Sequence, residues 1–452
     1  MDYGFLSLVP PLIVIIIALI TRLSLEPLII GCLAGFAIIA GWGFFDAFLT
    51  SLQHVMQDDQ MVWVILVCSM YGSLINLMIR SGGTLGFGNY MLRYANTPKR
   101  SMFITWMFGT FLFVDDYMNA LTSGTTMKKI TDHFRISREM LAFLVSSTAV
   151  TTCLIVPIST WVIFIGKLVE GTQIIPAGEG ITAYLNIIPF IAYGWVQYVV
   201  VGLVIFGVIP VIGKMRKANK RALETGQVIP DNSEEFKTET TLFKSIQHPH
   251  ILNLVLPLVV LVTSTILLDK DALKGVVVTL VFTVIYYALR KVATFKELSE
   301  AVIEGLKSML FALVLLVMSY ILKDLGDQMG LTQYVIRIVS PVVSKAMLPL
   351  CVFLSLGFIA FTTGNSWGLY AIAIPLVVSL AQQMGANVWL CIGAVVSAGA
   401  FGAHACFYSD ATILAAQGTE CNNYEHAITQ LPFALISFSV SCVVYVVLGY
   451  VV

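Results

Sequence analysis

FLFVDDYMNALTSGTTMKK, residues 111–129, sets two adjacent carboxylates, Asp115 and Asp116, inside a chain that is otherwise mostly apolar. The amide of Asn119 and the hydroxyls of Thr122, Ser123, Thr125 and Thr126 follow at once. A charge at bilayer depth costs at least about 2.5–3.5 kcal/mol on insertion scales, so two in a row must face a partner, a cavity or an ion. The segment before them, 101–113, is apolar but too short to cross a membrane, and 120–130 leads back out to Lys128-Lys129. This length pattern predicts a re-entrant hairpin with the acids near its tip.

The surrounding chain is built for a bilayer. Of 452 residues, 58% are hydrophobic and 12% charged, about half the charge fraction of a soluble domain. The mean hydropathy is +0.88. Long apolar segments recur from end to end, which predicts a polytopic helical membrane protein. A net charge of zero argues against nucleic acid as a partner. The eight scattered cysteines show no metal-ligand spacing and read as small buried hydrophobes. The first apolar run starts almost at Met1 and contains Pro10-Pro11, a pattern unlike a cleavable leader.

In the first half, spans are expected at 5–21, 25–43, 61–80 and 183–212, with an amphipathic stretch at 44–58 and an interfacial helix at 83–97. Residues 139–168 are long enough to span, but five hydroxyls between Ser146 and Thr152 interrupt them and Pro157 follows, so a broken helix is expected there. The polar segment 213–250 separates this half from the next. The second half repeats the order: spans at 251–268, 273–290 and 308–325, and amphipathic stretches at 295–307 and 329–345. A short arm at 348–361 leads into Thr362-Thr363-Gly364-Asn365-Ser366-Trp367 and out through 368–383. A helix starting at 388–400 breaks between Gly399 and Asp410, and 428–450 is the last span. Paired interrupted segments in two halves are the usual sequence pointer to a transporter's binding site.

Each half thus has five crossings, an odd number, so the second is inverted relative to the first. The expected fold is an all-α polytopic membrane protein of two inverted repeats, 1–212 and 251–452, each with five transmembrane helices, a re-entrant hairpin and a broken helix. With the linker 213–250 on the cytoplasmic side, twenty of the 26 basic residues fall on that side, as the positive-inside rule requires. Both termini then lie outside, in a multi-pass arrangement in the cell membrane. Asp115, Asp116 and Asp410 are the three carboxylates left in the membrane zone.

Hairpin tips and helix breaks leave backbone N–H and C=O groups unpaired, and in lipid these need protein, ion or substrate partners. A hard cation such as sodium takes oxygen ligands. Candidate ligands in the first half are Asp115, Asp116, Asn119, Thr122, Ser147, Thr148 and Thr151. In the second they are Thr362, Thr363, Asn365, Ser397, Ser409 and Asp410, with His404 as a candidate proton relay. Sodium itself is assigned to Asp115, Asp116, Asn119 and Asp410. A carboxylate that trades Na+ for H+ must titrate near working pH, which burial allows. Structural roles compete with these. A lone Ser or Thr in a membrane helix commonly bonds back to its own helix. Either acid suits a helix cap, and a lone histidine suits a packed, hydrogen-bonded position. Lys128, Lys129 and Arg135 read as positive-inside anchors. Trp367 and Tyr408 suit either packing or an organic-substrate pocket. No nucleophile elbow, Walker A loop or HExxH motif occurs, so neither an enzyme nor an ATP-driven pump is expected and no cofactor is called for. A channel is disfavoured by the paired broken helices.

Several stretches carry a family resemblance: Val114-Asp115-Asp116-Tyr117, Ile130-Thr131-Asp132, Arg135-Ile136-Ser137-Arg138-Glu139 and Pro157-Ile158-Ser159-Thr160-Trp161. Ser409-Asp410-Ala411-Thr412-Ile413-Leu414, Thr429-Gln430-Leu431-Pro432-Phe433-Ala434-Leu435 and Arg221-Ala222-Leu223-Glu224-Thr225-Gly226 complete the set. Together they resemble the NhaC family of sodium/proton antiporters, within the larger ion-transporter superfamily. The resemblance implies inverted repeats, a scaffold and a transport domain, a homodimer, elevator-type movement, and sodium and protons as the transported ions. Relatives carry sodium with organic anions or amino acids. The chain departs from the family pattern at Ser146, where an Asp is common, and at Phe407-Tyr408, where Pro-Ile is common. Both changes favour a small organic substrate, such as an amino acid, as the alternative to simple sodium/proton exchange.

Overall fold

The apolar runs fold as helices, and the polar residues between them start and stop those helices. The computed structural model describes residues 3–21, 25–113, 115–157, 159–176, 179–230, 233, 242–243, 246, 249–269, 271–331, 334, 344–364 and 366–452. Those residues form 21 α-helices and no strand. The first half contains α1 (Val9–Thr21), α2 (Leu25–Ala40), α3 (Phe44–Gln57), α4 (Asp59–Arg80), α5 (Gly83–Met91), α6 (Pro98–Phe111), α7 (Asp116–His133), α8 (Arg138–Ile155), α9 (Thr160–Gly171), α10 (Gly180–Ile187) and α11 (Ala192–Phe206). The linker forms α12 (Gly213–Thr225). The second half contains α13 (Leu252–Leu267), α14 (Ala272–Leu289), α15 (Phe295–Ser308), α16 (Leu310–Met329), α17 (Leu348–Thr363), α18 (Ser366–Met384), α19 (Val388–Ala405), α20 (Asp410–Thr419) and α21 (Asn423–Val451). Start signals in the sequence act as expected. Thr97 caps α6 ahead of Pro98, Ser137 caps α8, Asn387 caps α19, and Thr294 with Glu297 forms a capping box on α15.

Among the described residues, seven helices are long and apolar enough to cross a bilayer, or eight if the bent pair Gly180–Phe190 and Ala192–Phe206 is one span. Gly4–Val14, Leu252–Leu267 and Leu348–Thr363 are apolar but shorter. The sequence reading expects ten crossings, and the differences have local causes. The span expected at 183–212 bends by 57°, with Pro189 in the turn between its two pieces. The arm leaving the second hairpin, α18, is itself long enough to cross.

Three further expectations need correction or restriction. The hydroxyls of Ser146 to Thr152 do not break α8. Thr148, Thr151 and Thr152 donate to the carbonyls of Leu144, Ser147 and Thr148, at 2.5, 2.7 and 2.6 Å, so each is absorbed by its own helix. The break falls later, at 156–159, where Pro157 supplies no N–H. Within 83–97 the helix covers only Gly83–Met91, and it packs tightly on the rest of the chain. Gly83 and Gly86 of α5 are buried against main chain, and a Cβ on either would stand 2.7 Å from backbone atoms of Asn253 or His250. The amphipathic stretch expected at 329–345 lies mostly outside the described residues. Six of the cysteines are buried, as expected of small hydrophobes, and two are half-buried.

One apolar core gathers α2, α4, α7 and α16, and a second gathers α9, α11, α17, α18 and α19. The two halves of the chain meet backbone to backbone where α7 lies on α20, as they also do where α4 lies on α15. A Cβ on Gly124 would stand 2.7 Å from the carbonyl carbon of Gly418, and one on Gly418 would stand 2.7 Å from the carbonyl oxygen of Ala120. Gly418→Ala is therefore expected to cost about 1–3 kcal/mol by overpacking, read as a lower unfolding temperature of the detergent-solubilised protein. Gly171→Ala, where nothing lies within 4 Å of the added methyl, is the control expected to leave it unchanged.

Candidate functional site

Both helix breaks are fixed by one device, a serine that reaches back six residues. Ser159 caps α9 and donates to the carbonyl of Cys153 at 2.6 Å. Ser409 caps α20 and donates to the carbonyl of Ala403 at 2.5 Å. Each serine thus satisfies a carbonyl freed where the preceding helix stops, and an N–H freed where the next one starts. The residue after each serine is delivered to the same region: Thr160 in the first break, Asp410 in the second.

At the tip of the first hairpin Asp115 caps α7, accepting from the backbone N–H of Met118 at 2.9 Å. Its other oxygen accepts from the Thr160 hydroxyl at 3.2 Å. Asp116 accepts from the indole N–H of Trp161 at 2.8 Å through Oδ1, and its Oδ2 has no partner. Tyr117 donates to Asp410 Oδ2 at 2.5 Å, while Asp410 Oδ1 accepts from the N–H of Ala411 at 2.8 Å. The three acids are 1%, 2% and 5% exposed. Asp410 lies within electrostatic reach of both Asp115 and Asp116. Tyr117 belongs to the first apolar core and Trp161 to the second, so the carboxylates sit where the two cores meet. Aromatic rings wall this centre: Trp161 is 5.1 Å from Trp367 and 5.7 Å from Tyr370, centroid to centroid. The Trp367 indole N–H is buried without a partner.

The other expected site residues divide by how their polar atoms are used. Asn119 is tied within its hairpin: it donates to the carbonyl of Gly109 at 2.7 Å and accepts from Ser123 at 2.8 Å. Thr122 is buried on the same helix. Thr148, Thr151, Thr362 and Thr363 bond back to their own helices. Asn365 lies outside the described residues. Ser147, Ser397 and His404 form a separate buried network. His404 contacts the Ser147 hydroxyl and the Tyr193 hydroxyl through its two ring nitrogens, each at 2.8 Å. Gln197 donates to Ser147 at 3.0 Å and accepts from Ser437 at 2.5 Å. Tyr445 donates to Ser397 at 2.6 Å, and Gln430 donates to the backbone carbonyl of His404. With both ring nitrogens engaged, His404 fits a packed, hydrogen-bonded histidine.

Tyr408, weighed from sequence as a pocket residue, donates to the carbonyl of Thr362 at 2.6 Å and so steadies the second hairpin tip. Lys128 is more than a surface anchor, since it pairs with Glu420 at 2.6 Å. Lys129 donates to Asn89, and Arg135 to the carbonyl of Leu223. Beside them Arg138, 6% exposed, bonds Asp132 at 2.8 Å and the carbonyl of Thr419 at 2.7 Å, and lies 3.8 Å from Glu420. Arg221 of α12 clamps buried Glu139 through two bonds of 3.0 and 2.9 Å, which docks the linker on the start of α8.

Sequence reasoning missed Tyr117, Thr160 and Trp161 as partners of the acids. The signal was present: all three stand in the motifs Val114 to Tyr117 and Pro157 to Trp161 quoted above. Among the described residues no three His, Cys, Asp or Glu side chains converge closely enough to hold a metal ion. A cation here would draw on one or two carboxylates and on neutral oxygens such as the Thr160 hydroxyl. Hard monovalent cations accept such a set, and the unpartnered Asp116 Oδ2 offers a lone pair to one.

Two comparisons bear on this centre. The model of the family described as the Na+/H+ antiporter family matches residues 152–450. That stretch contains Thr160, Trp161 and Asp410, while Asp115 and Asp116 precede it. A chain from Haemophilus influenzae, described as an uncharacterized protein, is 26% identical over 488 aligned residues, covering 98% of this chain and 91% of its own.

Proposed function

The chain belongs to the Na+/H+ antiporter family, and on that premise we propose that it exchanges sodium for protons at the centre formed by Asp115, Asp116 and Asp410. The observation that carries this reading is a buried carboxylate oxygen, Asp116 Oδ2, left without a partner and within electrostatic reach of Asp115 and Asp410. Sodium and proton would compete for that oxygen. Thr160 and Tyr117 hold the neighbouring carboxylates in place whichever ion is bound.

The movement we propose is elevator-type alternating access by two inverted repeats, 1–212 and 251–452, with 213–250 as a cytoplasmic linker, both termini outside, and two copies of the chain as the working unit. Matched packing supports the repeats: α3 lies on α16 as α15 lies on α4, and α7 lies on α20 as α18 lies on α9. The shared serine device at the two breaks supports the same pairing.

The test is sodium-driven proton flux in proteoliposomes. Addition of sodium outside should acidify the exterior and alkalinise the lumen, and no pH change would overturn the reading. Tyr117→Phe, which removes the bond to Asp410, is expected to slow this flux by about tenfold or more, since a hydrogen bond to a charged group contributes roughly 1.5–3 kcal/mol.

A second reading, sodium-coupled uptake of an amino acid or organic anion, is favoured by one observation: the aromatic wall of Trp161, Trp367 and Tyr370 with the unpartnered Trp367 N–H. Sodium-dependent thermal stabilisation by one compound of a metabolite panel would select it.

A further inference from the structure

We propose that the cation reaches the carboxylates along α7 through two adjoining cavities, with the side-chain oxygen of Gln417 as a stepping-stone ligand and the charge of Lys128 neutralised by Glu420. This rests on the reading of the protein as a cation exchanger.

The outer cavity has a volume of about 410 Å³ and is lined by Thr84, Thr126, Lys128, Lys129, Asp132 and Glu420. The inner one, about 30 Å³, is lined by Asn76, Leu121, Thr125, Lys128, Ser308 and Gln417. Ile79, Thr125 and Lys128 line both, so the two adjoin. The inner volume suffices for a water molecule or a small, partly dehydrated cation. Leu121 is five residues along α7 from Asp116, so the inner cavity comes within roughly 8 Å of the acids along the helix axis.

Gln417 gives the inner cavity its chemistry. The side chain is 7% exposed and its amide donates to the carbonyl of Ser308 at 3.0 Å. The amide oxygen is buried with no protein partner. A buried carbonyl oxygen left unpaired is destabilising unless water or a cation takes it. Nearby, Asn76 spends its N–H on the carbonyl of Ala301 and keeps its own oxygen as an acceptor. These are neutral oxygens. They replace part of an ion's hydration shell without binding it as tightly as a carboxylate, which a transit position requires.

Lys128 lines both cavities and its positive charge opposes a passing cation. Glu420, contributed by the second half of the chain, holds the ammonium at 2.6 Å. Both members line the outer cavity, and the pair neutralises the junction.

The test uses Ag+ as a thiol-reactive cation close to sodium in size. Gln417→Cys is placed in a chain whose eight native cysteines are replaced by alanine, and Ala416→Cys, at a fully buried neighbour that lines neither cavity, is the control. After timed exposure of the folded protein to Ag+, the thiol that remains is alkylated under unfolding conditions and counted by mass. The Gln417→Cys thiol is expected to react roughly tenfold or more faster than the control. Adding Lys128→Ala should raise its rate further, as removal of a unit positive charge beside the path requires. Equal rates at 416 and 417 would overturn the proposal. In the native-cysteine background Gln417→Leu is expected to cut sodium-driven flux severalfold with sodium-dependent thermal stabilisation unchanged. Undiminished flux there would also overturn it. Silver reaction needs no transport, so fast reaction at 417 in a protein without sodium flux would sink the exchange reading and leave the path standing.

Discussion

Asp116→Asn is expected to reduce sodium-driven proton flux by about 100-fold or more, given that even groups one shell removed from a bound metal are worth 10–100-fold. Asparagine is nearly isosteric and its amide oxygen still accepts from the Trp161 indole N–H, so the hairpin tip keeps its geometry. What is lost is the oxygen that stands without a protein partner. An amide group in that position is a donor, turned towards the cation it should bind. It neither supplies countercharge nor takes up a proton, so both legs of the exchange fail together. The measurement is the pH change in proteoliposomes on sodium addition, with the unfolding temperature confirming an intact fold. In the wild type, proton and sodium compete, so the sodium concentration for half-maximal flux should rise as pH falls. Asp116→Asn with wild-type flux would move the exchange away from this carboxylate.

The second large effect is on stability. Arg138→Met is expected to destabilise the protein by about 3 kcal/mol, the lower end of the range for breaking a buried ion pair. Arg138 is nearly buried and is the partner of Asp132, of the carbonyl of Thr419 and, at longer range, of Glu420. Its removal leaves Asp132 without its counter-charge. Asp132 is one-third exposed and Glu420 keeps Lys128, which places the effect at the low end. Thermal unfolding in detergent reads it directly. The double substitution Arg138→Met with Asp132→Leu should recover part of the loss, because an apolar pair of similar volume is tolerated where a lone buried charge is not. The exposed pair Lys220–Glu224 should be nearly silent in the same assay.

Charge at the wrong depth was the most legible signal in the sequence. Asp115, Asp116 and Asp410 stand out because apolar surroundings make any carboxylate conspicuous, and all three are buried, with Asp410 in electrostatic reach of the other two. The breaks were legible through Pro157 and Ser409, but the first was displaced, because runs of hydroxyls look like interruptions. Thr148, Thr151 and Thr152 lose that character once each bonds to the turn below. Asn119 shows the opposite limit. Its composition suits a ligand, and only the packing of α7 against α6 reveals that its NH2 ties the hairpin arms together while its oxygen is taken by Ser123 one turn on. Tyr117, Thr160 and Trp161 escaped because an aromatic or a hydroxyl in a membrane helix is unremarked until its partner is known. Those partners lie 45 to 293 residues away in sequence.

The glycine contact between α7 and α20 has a consequence for how the protein is made. Asp115 and Asp116 leave the ribosome about 300 residues before the backbone surface that receives their helix, around Gly418. Until then the hairpin's polar face has neither Asp410 nor Gly418 beside it. The insertion machinery must therefore shelter a charged, half-finished element until α20 has been made. A chain that stops short of α20 is expected to leave uncovered the acids that the fold conceals.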